Sequence, residues 1–419
     1  MTLPVILIAQ FVTPMAIAGT AVALPPISAA LGAWPTALQW AVNGFNVSFA
    51  LGVLGWGSLS DRIGYRATFA LGAILFSVAS VMSAAAPVLV ALDAARIVAG
   101  LGAAAILTGA SSMLSNIFDG TVRTRAFALF GTTNGLGLAL GPTISGLLVA
   151  GVGWRGVFGV HAAVLALAAL GSRVLPRLSA AVAPVGATRV PLLDLSLLRN
   201  REFLAMCLVP VAGSIGFVTL LTYLPSAFSG IKSMSTGVTG VTMLVMTIPV
   251  LVVPAAIATL VNTVRSVTVG AVVYASLVAL ILGNIGILPL SETHSIARII
   301  VPMILLGVGF GLPIGLIDGH ALTVVPADRV GTAAGLLNFF RIGSEAIFVA
   351  GYAAVLSTLV DRRLTGGAAA DTAAGQPGHP EVYRSAFGIT VLVLIVLLVT
   401  LTLAIVVVRG KHARAIGER

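Results

Sequence analysis

The sequence predicts an all-α integral membrane protein with twelve transmembrane helices in two six-helix bundles. Twelve apolar stretches fill the chain, and each is long enough to cross a bilayer core of about 30 Å as a helix. Hydrophobic residues make up 58% of the 419 residues and charged residues only 9%, a composition that excludes a soluble fold. A long polar segment divides the stretches into six and six. Functional groups are therefore expected inside a helical bundle.

Apolar length and flanking polar residues define the spans in order. The N-terminal bundle, residues 1–175, contains spans at 4–30, 38–59, 67–86, 89–116, 126–150 and 154–175. The C-terminal bundle, residues 203–419 with a short cytoplasmic tail, contains spans at 203–228, 236–260, 267–288, 297–324, 332–360 and 385–408. No basic residue precedes Pro4, so we expect the first stretch to be a retained helix and not a signal peptide.

Two connections between the spans are long. Residues 176–202, rich in Arg, Pro and Ala, are the predicted linker between the bundles, and residues 361–384, rich in Gly, Ala, Asp and Pro, are a predicted loop. Equal halves around a polar linker are typical of secondary transporters in which one bundle rocks against the other. Passive spacers would have the same composition.

The basic residues predict the orientation of the chain. Lys and Arg number 23 against 13 Asp and Glu, a formal net charge of +10. With the amino terminus in the cytoplasm, 15 of the 23 lie in inner loops and the tail, six lie in outer loops, and Arg96 and Arg341 lie within spans. This bias follows the positive-inside rule. It predicts a cell-membrane protein with both termini in the cytoplasm, whose basic residues face the lipid bilayer and not a nucleic acid.

Residue types exclude several classes of protein. With Lys only at positions 232 and 411, the chain has no phosphate-binding G-x-x-x-x-G-K-[ST] loop, which excludes an ATP-driven pump. The five scattered His residues and the single Cys207 form no metal-ligand or catalytic spacing. We therefore expect no enzyme activity, no catalytic residue, no metal and no cofactor. A channel and a structural or regulatory membrane protein stay open as alternatives.

The loop after the second span carries the most specific local pattern. It reads G-x-L-x-D-R-x-G-x-R, with Gly57, Asp61, Arg62, Gly64 and Arg66 at the fixed positions. The glycines permit a tight turn, and the arginines can meet phosphates of the inner leaflet. At this place in a twelve-helix chain, the pattern resembles the signature loop of the major facilitator superfamily. The resemblance implies that the loop latches the cytoplasmic side of two bundles and that Asp61 is a gating residue.

Small residues recur in the fifth span, at Gly137, Gly141, Pro142, Ser145 and Gly146. Their spacing places them on one face, where a partner helix can approach closely, so tight packing alone explains the pattern as well as a functional role does. The pattern G-x-x-x-G-P-x-x-S-G also resembles the antiporter motif of proton-coupled drug exporters in this superfamily. That resemblance implies efflux.

Further matches resemble the fourteen-helix drug:proton antiporter branch of the superfamily. They are A-L-P at 23–25, Q-W at 39–40, Arg96, G-W-R at 153–155, P-L-L-D-L at 191–195 and G-L-L-N at 335–338. Three features depart from that branch: only twelve spans are present, no acidic residue precedes Asp61, and the second-half counterpart of the signature loop has Ala258, Asn262 and Arg265. Members of the branch usually carry an Asp in the first helix, so proton coupling here would need another group.

Glu345 is the first candidate for that group. Charges at mid-membrane cost roughly 2.5–3.5 kcal/mol, so an intramembrane carboxylate usually has a partner or a function. Glu345 lies near the middle of the eleventh span, one turn from Arg341, and Asn338 lies one turn earlier on the same face. The carboxylate can carry a proton between two states of a transporter, or it can form a static ion pair with Arg341.

Two further acids are candidates. Asp318 lies near His320 after the glycine-rich stretch 307–313, which can break the tenth helix and turn Asp318 towards a cavity; without a break, Asp318 lies at the cytoplasmic interface. Asp93 and Arg96 form a similar pair in the fourth span, either as a structural ion pair or, as the resemblance implies for Arg96, in proton transfer. His161 is expected to be a hydrogen-bonded core residue.

A cavity for amphipathic compounds needs apolar walls and few polar groups. The candidate residues for it are Gln10, Trp40, Asn43, Asn46, Asn338 and Phe339. Trp40 also fits an aromatic belt at the outer interface. The main hypothesis is a monomeric secondary transporter that exchanges protons for small amphipathic substrates, and its rivals are a uniporter or symporter for a metabolite and a protein that transports nothing.

Overall fold

The computed structural model describes residues 2–32, 35–118, 120–176, 195–264, 267–326 and 330–417. Within these ranges the chain is helical and contains no β-strand, which confirms the predicted all-α class. Helices suit an apolar chain because each one satisfies its backbone hydrogen bonds internally, as a lipid environment requires.

Fourteen α-helices follow one another in the described ranges. They are α1 Thr2–Leu31, α2 Pro35–Ile63, α3 Tyr65–Ala85, α4 Leu89–Ile117, α5 Gly120–Gly171, α6 Arg201–Gly213, α7 Thr219–Lys232, α8 Thr236–Thr263, α9 Val269–Ile287, α10 Ala297–Gly311, α11 Leu316–Thr323, α12 Val330–Asp361, α13 Gly366–Ala373 and α14 Pro380–Gly417. Short 3₁₀ turns lie at Ser172–Val174, just before the predicted linker, and at Leu195–Arg199, within its last part.

Ten helical segments in the described ranges are long and apolar enough to cross a membrane, so the predicted number of twelve is not matched one for one. The predicted fifth and sixth spans are one 52-residue element, α5, with a sharp kink at Gly153 (φ 75°). Only glycine adopts this backbone conformation without strain, and the kink divides α5 where the sequence predicts a loop. The predicted second span coincides with α2, which is not among the ten segments.

Two predicted spans are interrupted helices. The seventh comprises α6, a π-helical turn at Ser214–Val218, and α7. The tenth comprises α10 and α11, separated by a four-residue turn that ends at Gly315, so the glycine-rich stretch does break this helix. The predicted loop 361–384 contains one element that the sequence reading did not foresee, the alanine-rich helix α13.

Contacts group the described residues into two compact units. The first unit draws on Met1–Thr188, Thr222–Leu244 and Ser357–Tyr383, and the second on Arg189–Leu221, Val245–Leu356 and Arg384–Arg419. The predicted division of the chain at 176–202 into two six-helix bundles stays a prediction.

Small residues set the distances between helices within each unit. In the first unit, an added Cβ at Gly102 of α4 would lie 2.6 Å from the backbone nitrogen of Phe76 in α3. In the second unit, the Ser276 hydroxyl of α9 donates to the carbonyl of Gly309 in α10 at 2.5 Å. Close backbone approach of this kind replaces the hydrophobic driving force that is weak between helices in lipid.

Candidate functional site

The signature-like loop is a one-residue junction between two helices. Gly57, Asp61 and Arg62 belong to the end of α2, Gly64 (φ 89°) makes the turn, and Arg66 is the second residue of α3. A residue with a side chain would be strained at this φ, which explains the glycine. Arg62 is exposed and Arg66 half-buried, whereas the side chain of Asp61 lies outside the described part of the chain.

The antiporter-like motif of α5 contacts two different helices of the first unit. An added Cβ at Gly137 would lie 2.3 Å from the Phe11 carbonyl oxygen of α1, and one at Gly141 would lie 3.1 Å from the Met15 Cα. Ser145 of α5 packs beside Gly19 of α1. The motif therefore lets α1 approach α5 almost to backbone contact.

The other side of the motif meets α8. An added Cβ at Gly146 would lie 2.9 Å from the Cα of Gly240, and the carbonyl of Pro142 faces the same glycine. The Thr143 hydroxyl donates to the Gly240 carbonyl at 2.8 Å. Glycines on both helices therefore allow α5 and α8 to approach closely at this junction.

Arg96 lies at the centre of the first unit and is 1% exposed. Its Nε donates to the Ala41 carbonyl at 2.9 Å and its Nη2 to the Ala16 carbonyl at 3.2 Å. The guanidinium carbon lies 4.4 Å from the ring centroid of Phe45 and 5.6 Å from that of Phe158. Backbone dipoles and aromatic faces therefore hold this cation.

Asp93, one turn earlier on α4, does not accept a hydrogen bond from Arg96. Its Oδ1 is buried and has no hydrogen-bond partner among the described residues, and the same holds for Arg96 Nη1. His161 is fully buried beside Phe158, as expected of a core residue, but neither ring nitrogen has a hydrogen-bond partner in the described chain. The expectation of a hydrogen-bonded histidine was therefore wrong.

Arg341 forms its strong contact with an acid that the sequence did not pair with it. Its Nη2 donates to Asp318 Oδ1 at 2.7 Å and joins α12 to the first turn of α11. The side chains are 29% and 39% exposed. Glu345 lies one turn further along α12, close enough to act electrostatically on Arg341. The side chain of Asn338 lies outside the described residues.

The π-helical turn between α6 and α7 is a feature that the sequence reading missed. The Ser214 and Ser344 hydroxyls share a hydrogen bond of 2.8 Å, which joins the turn to α12 one turn from Arg341. Asn284 of α9 donates to the Gly216 carbonyl at 2.9 Å. The sequence signal that could have indicated this turn is Pro210 together with the nearby glycines. The turn is of interest because π-helical turns frequently mark functional sites in helices.

A three-residue cluster around the buried Glu202 in the second unit was also missed. Glu202, in the first turn of α6, accepts two hydrogen bonds from Arg409 at 2.9 and 3.1 Å. His320 Nε2 lies 3.1 Å from the same carboxylate. The Asn200 side chain caps α6 and donates to the Val324 carbonyl, which fixes the helix start. Asn followed by Glu at a helix start is the sequence signal, whereas the partner on α14 is too distant in sequence to infer.

The predicted cavity residues differ in burial. Gln10 donates to Asn134 at 2.9 Å, and its Oε1 and the Asn46 Nδ2 are buried without hydrogen-bond partners among the described residues. Asn43 is half-buried and lies beside Tyr223. Trp40 and Phe339 are 46% and 38% exposed. Of the second-half loop residues, Arg265 and the side chains of Ala258 and Asn262 lie outside the described chain.

Comparison with known families gives a match across most of the chain. The model of the Major Facilitator Superfamily matches residues 6–350. A solved bacterial homolog of the human lysosomal transporter Spinster, in an inward-facing and unoccupied conformation, superposes with a TM-score of 0.71 at 16% identity. The superposition covers 98% of this chain and 96% of that one.

Curated relatives carry drug-resistance names. The puromycin resistance protein pur8 of Streptomyces alboniger is 35% identical over 176 residues, which cover 42% of this chain and 35% of that protein. The multidrug resistance protein Stp of Mycobacterium tuberculosis is 25% identical over 382 residues, which cover 78% of this chain and 70% of that protein. The match to pur8 thus spans about a third of that relative's length.

Proposed function

The chain belongs to the major facilitator superfamily, and from that premise we propose that it exports small amphipathic compounds, drugs among them, in exchange for protons. The drug-resistance names of the relatives and the antiporter-like motif of α5 support export. Alternating access supplies the mechanism, because a single substrate site that faces each side in turn can be charged and discharged by protons.

The observation that carries the proposal is the acid–guanidinium–acid arrangement of the second unit. Arg341 is bonded to Asp318 and lies one turn from Glu345, so one cation has one bonded carboxylate and a second one on its own helix. Protonation of one carboxylate frees the guanidinium to strengthen its contact with the other. Such an exchange gives two alternative arrangements of α11 and α12, which is what coupling between proton and substrate requires.

Substrate selectivity in the proposal is loose. Gln10 Oε1 and Asn46 Nδ2, buried without hydrogen-bond partners among the described residues, supply polar contacts that a ligand can satisfy. Asn43, on α2 like Asn46, adds a third amide. Trp40 supplies aromatic surface for apolar or cationic groups in the first unit, and Phe339 supplies such a surface separately in the second unit. Few fixed hydrogen bonds and large apolar surfaces favour a range of amphipathic compounds over one metabolite.

The orientation and gating of the transporter are part of the same proposal. Both termini and the segment 176–202 face the cytoplasm, and α13 faces the outside. The turn at Gly64 then lies at the cytoplasmic surface, where Gly57, Asp61, Arg62 and Arg66 regulate opening. A monomer in the cell membrane suffices for this mechanism, with substrate, protons and lipid as partners.

The alternative function is uniport, or proton symport, of a small metabolite. The absence of any acidic residue before Asp61 favours uniport, because the first helix supplies no proton site. The two carboxylates at Arg341 answer this objection only if one of them titrates during the transport cycle. A membrane protein that transports nothing is the remaining alternative.

Proton movement in energised inverted vesicles tests the proposal. A panel of cationic dyes, antibiotics and small metabolites is added to vesicles with the parent protein, Glu345→Gln or Glu381→Gln. Glu381 is an exposed acid at the start of α14, so Glu381→Gln makes the same chemical change away from the site. We expect substrate-induced proton release in the parent and in Glu381→Gln, and none in Glu345→Gln.

The other outcomes separate the alternatives. Downhill substrate flux without any proton response in the parent would contradict antiport and leave a uniporter. Proton uptake in the same direction as the substrate would indicate a symporter. No flux of any compound under any gradient would exclude a transport function for this panel.

A further inference from the structure

A groove of about 810 Å³ runs along the outside of the first unit between α3 and the second half of α5. It is lined from α3 by Ala70 and the exposed Ile74, and from α5 by Ala166 and the exposed Leu170. Near its far end the Ser77 hydroxyl donates to the Ala162 carbonyl at 2.8 Å and holds the two helices together. The groove is therefore an apolar channel on a surface that a bilayer would cover.

One end of the groove is positively charged. Arg66, in the first turn of α3, and Arg173, in the 3₁₀ turn after α5, both line it. Neither guanidinium has an ion-pair or hydrogen-bond partner among the side chains that the structure describes, which do not include Asp61. Two arginines at one mouth are suited to a phosphate, because the planar guanidinium donates two parallel hydrogen bonds to it.

The start of α3 adds a second feature that favours an anion. Gly64 lines the groove and precedes the helix, and as a glycine it supplies no side-chain cap of its own. The positive end of the helix dipole therefore points to the charged mouth. Arg66 lies at this same end, where the dipole alone would disfavour a cation, so a bound anion would relieve the repulsion.

The length of the groove matches one leaflet of a membrane. Arg66, Ala70, Ile74 and Val78 follow one another at intervals of four residues along one face of α3. They cover about 18 Å at a rise of about 1.5 Å per residue, close to half of the roughly 30 Å hydrocarbon core. A headgroup at the arginines would thus leave its acyl chain parallel to the groove and inside the leaflet.

We propose that this groove is a binding site for one anionic phospholipid of the leaflet that contacts Arg66 and Arg173. The phosphate binds the two guanidinium groups and the start of α3, and one acyl chain fills the channel between α3 and α5. The site is distinct from the acids at Arg341 and does not depend on the proposed transport function.

Native mass spectrometry of the full chain in mild detergent tests the proposal. Phosphatidylglycerol and phosphatidylcholine with identical acyl chains are titrated against the parent, Arg66→Gln/Arg173→Gln, and the charge-matched control Arg362→Gln/Arg363→Gln. The control residues are exposed, follow the end of α12 and lie in the first unit's segment Ser357–Tyr383. We expect one tightly bound phosphatidylglycerol in the parent and the control, and binding about tenfold or more weaker without Arg66 and Arg173.

A second pair of variants tests the acyl chain separately. Ala70→Phe and Ala166→Phe fill the channel from opposite walls and leave both arginines in place, and each should weaken phosphatidylglycerol binding. Helix content by circular dichroism and elution in gel filtration establish that every variant is folded. Equal binding of the two lipids by the parent, or unchanged binding in the filled variants, would overturn the proposal. Displacement by glycerol 3-phosphate at equal concentration would also overturn it, since a free anion would then occupy the site.

Discussion

The two units hold their intramembrane arginines in different ways. Arg96 of the first unit is 1% exposed, and its donors meet backbone carbonyls and its face meets aromatic rings. Arg341 of the second unit is partly exposed. It forms an ion pair with the carboxylate of Asp318, and Glu345 acts on it electrostatically. A backbone carbonyl cannot be protonated near neutral pH, whereas a carboxylate can. From this difference we propose a fixed cation in the first unit and an exchangeable one in the second.

Glu345→Gln should have the largest effect, and it tests whether the second unit holds an exchangeable cation. The amide has nearly the same shape but carries no titratable proton, so substrate-driven proton release should be abolished while the helix content is unchanged. Downhill substrate flux measures whether the variant still binds and moves its substrate. Glu345→Asp, which retains the acid, should keep part of the proton release. Full release in Glu345→Gln would place the proton carrier elsewhere.

Arg96→Lys should have the next largest effect, and it tests whether Arg96 is a fixed cation in the first unit. Lysine cannot donate to both carbonyls while it stacks on Phe45, so we expect a loss of about 2–4 kcal/mol in the free energy of unfolding. The matched variant Arg341→Lys should cost about 1 kcal/mol or less, because its ion pair is partly exposed. Thermal unfolding in detergent measures both. Equal losses would remove the distinction between the two arginines.

Gly146→Ala should have a smaller effect, on the rigid packing of the first unit. The new Cβ would lie 2.9 Å from the Thr236 carbonyl oxygen and from the Gly240 Cα, so α5 and α8 must separate. Overpacking of this size costs about 1–3 kcal/mol. Gly151→Ala is the matched control, since an added Cβ there meets nothing within 4 Å. Thermal unfolding of the two variants should differ, and equal unfolding temperatures would contradict a close α5–α8 junction.

Asp318→Asn should have the smallest effect of the four. The amide can still accept from Arg341 Nη2, but it gives up the charge that competes with Glu345 for the guanidinium. We expect proton-coupled turnover to fall about tenfold, which corresponds to about 1.4 kcal/mol, with substrate binding retained. Transport rates at several pH values measure the change. A turnover unchanged at every pH would show that Asp318 only fixes the position of α11.

Local signals in the sequence predicted much of the fold. Apolar length predicted the helices, and glycines predicted the turn at Gly64 and the break before α11. The count of twelve was not matched one for one because the loop predicted at 151–153 is a kink at Gly153 within one continuous helix. The π-helical turn was missed because it is fixed by hydroxyl and amide groups from α9 and α12.

The candidate site was predictable as a set of residues but not as a set of contacts. Arg341 and Asp318 were both candidates, yet they lie 23 positions apart on different helices, beyond the reach of helical periodicity. Arg96 was paired with Asp93 because they share a turn, whereas its donors reach carbonyls on α1 and α2. Local spacing therefore identified ionisable groups, and tertiary packing selected their partners.

Proton release on substrate binding tests the central claim most directly. A transported compound is added to purified protein in weakly buffered detergent solution, and a pH indicator reports the protons released by the parent, Glu345→Gln and Asp93→Asn. An exchangeable second unit predicts about one proton per bound substrate in the parent and in Asp93→Asn, and none in Glu345→Gln. Release that persists in Glu345→Gln and disappears in Asp93→Asn would contradict the account and place the coupling in the first unit.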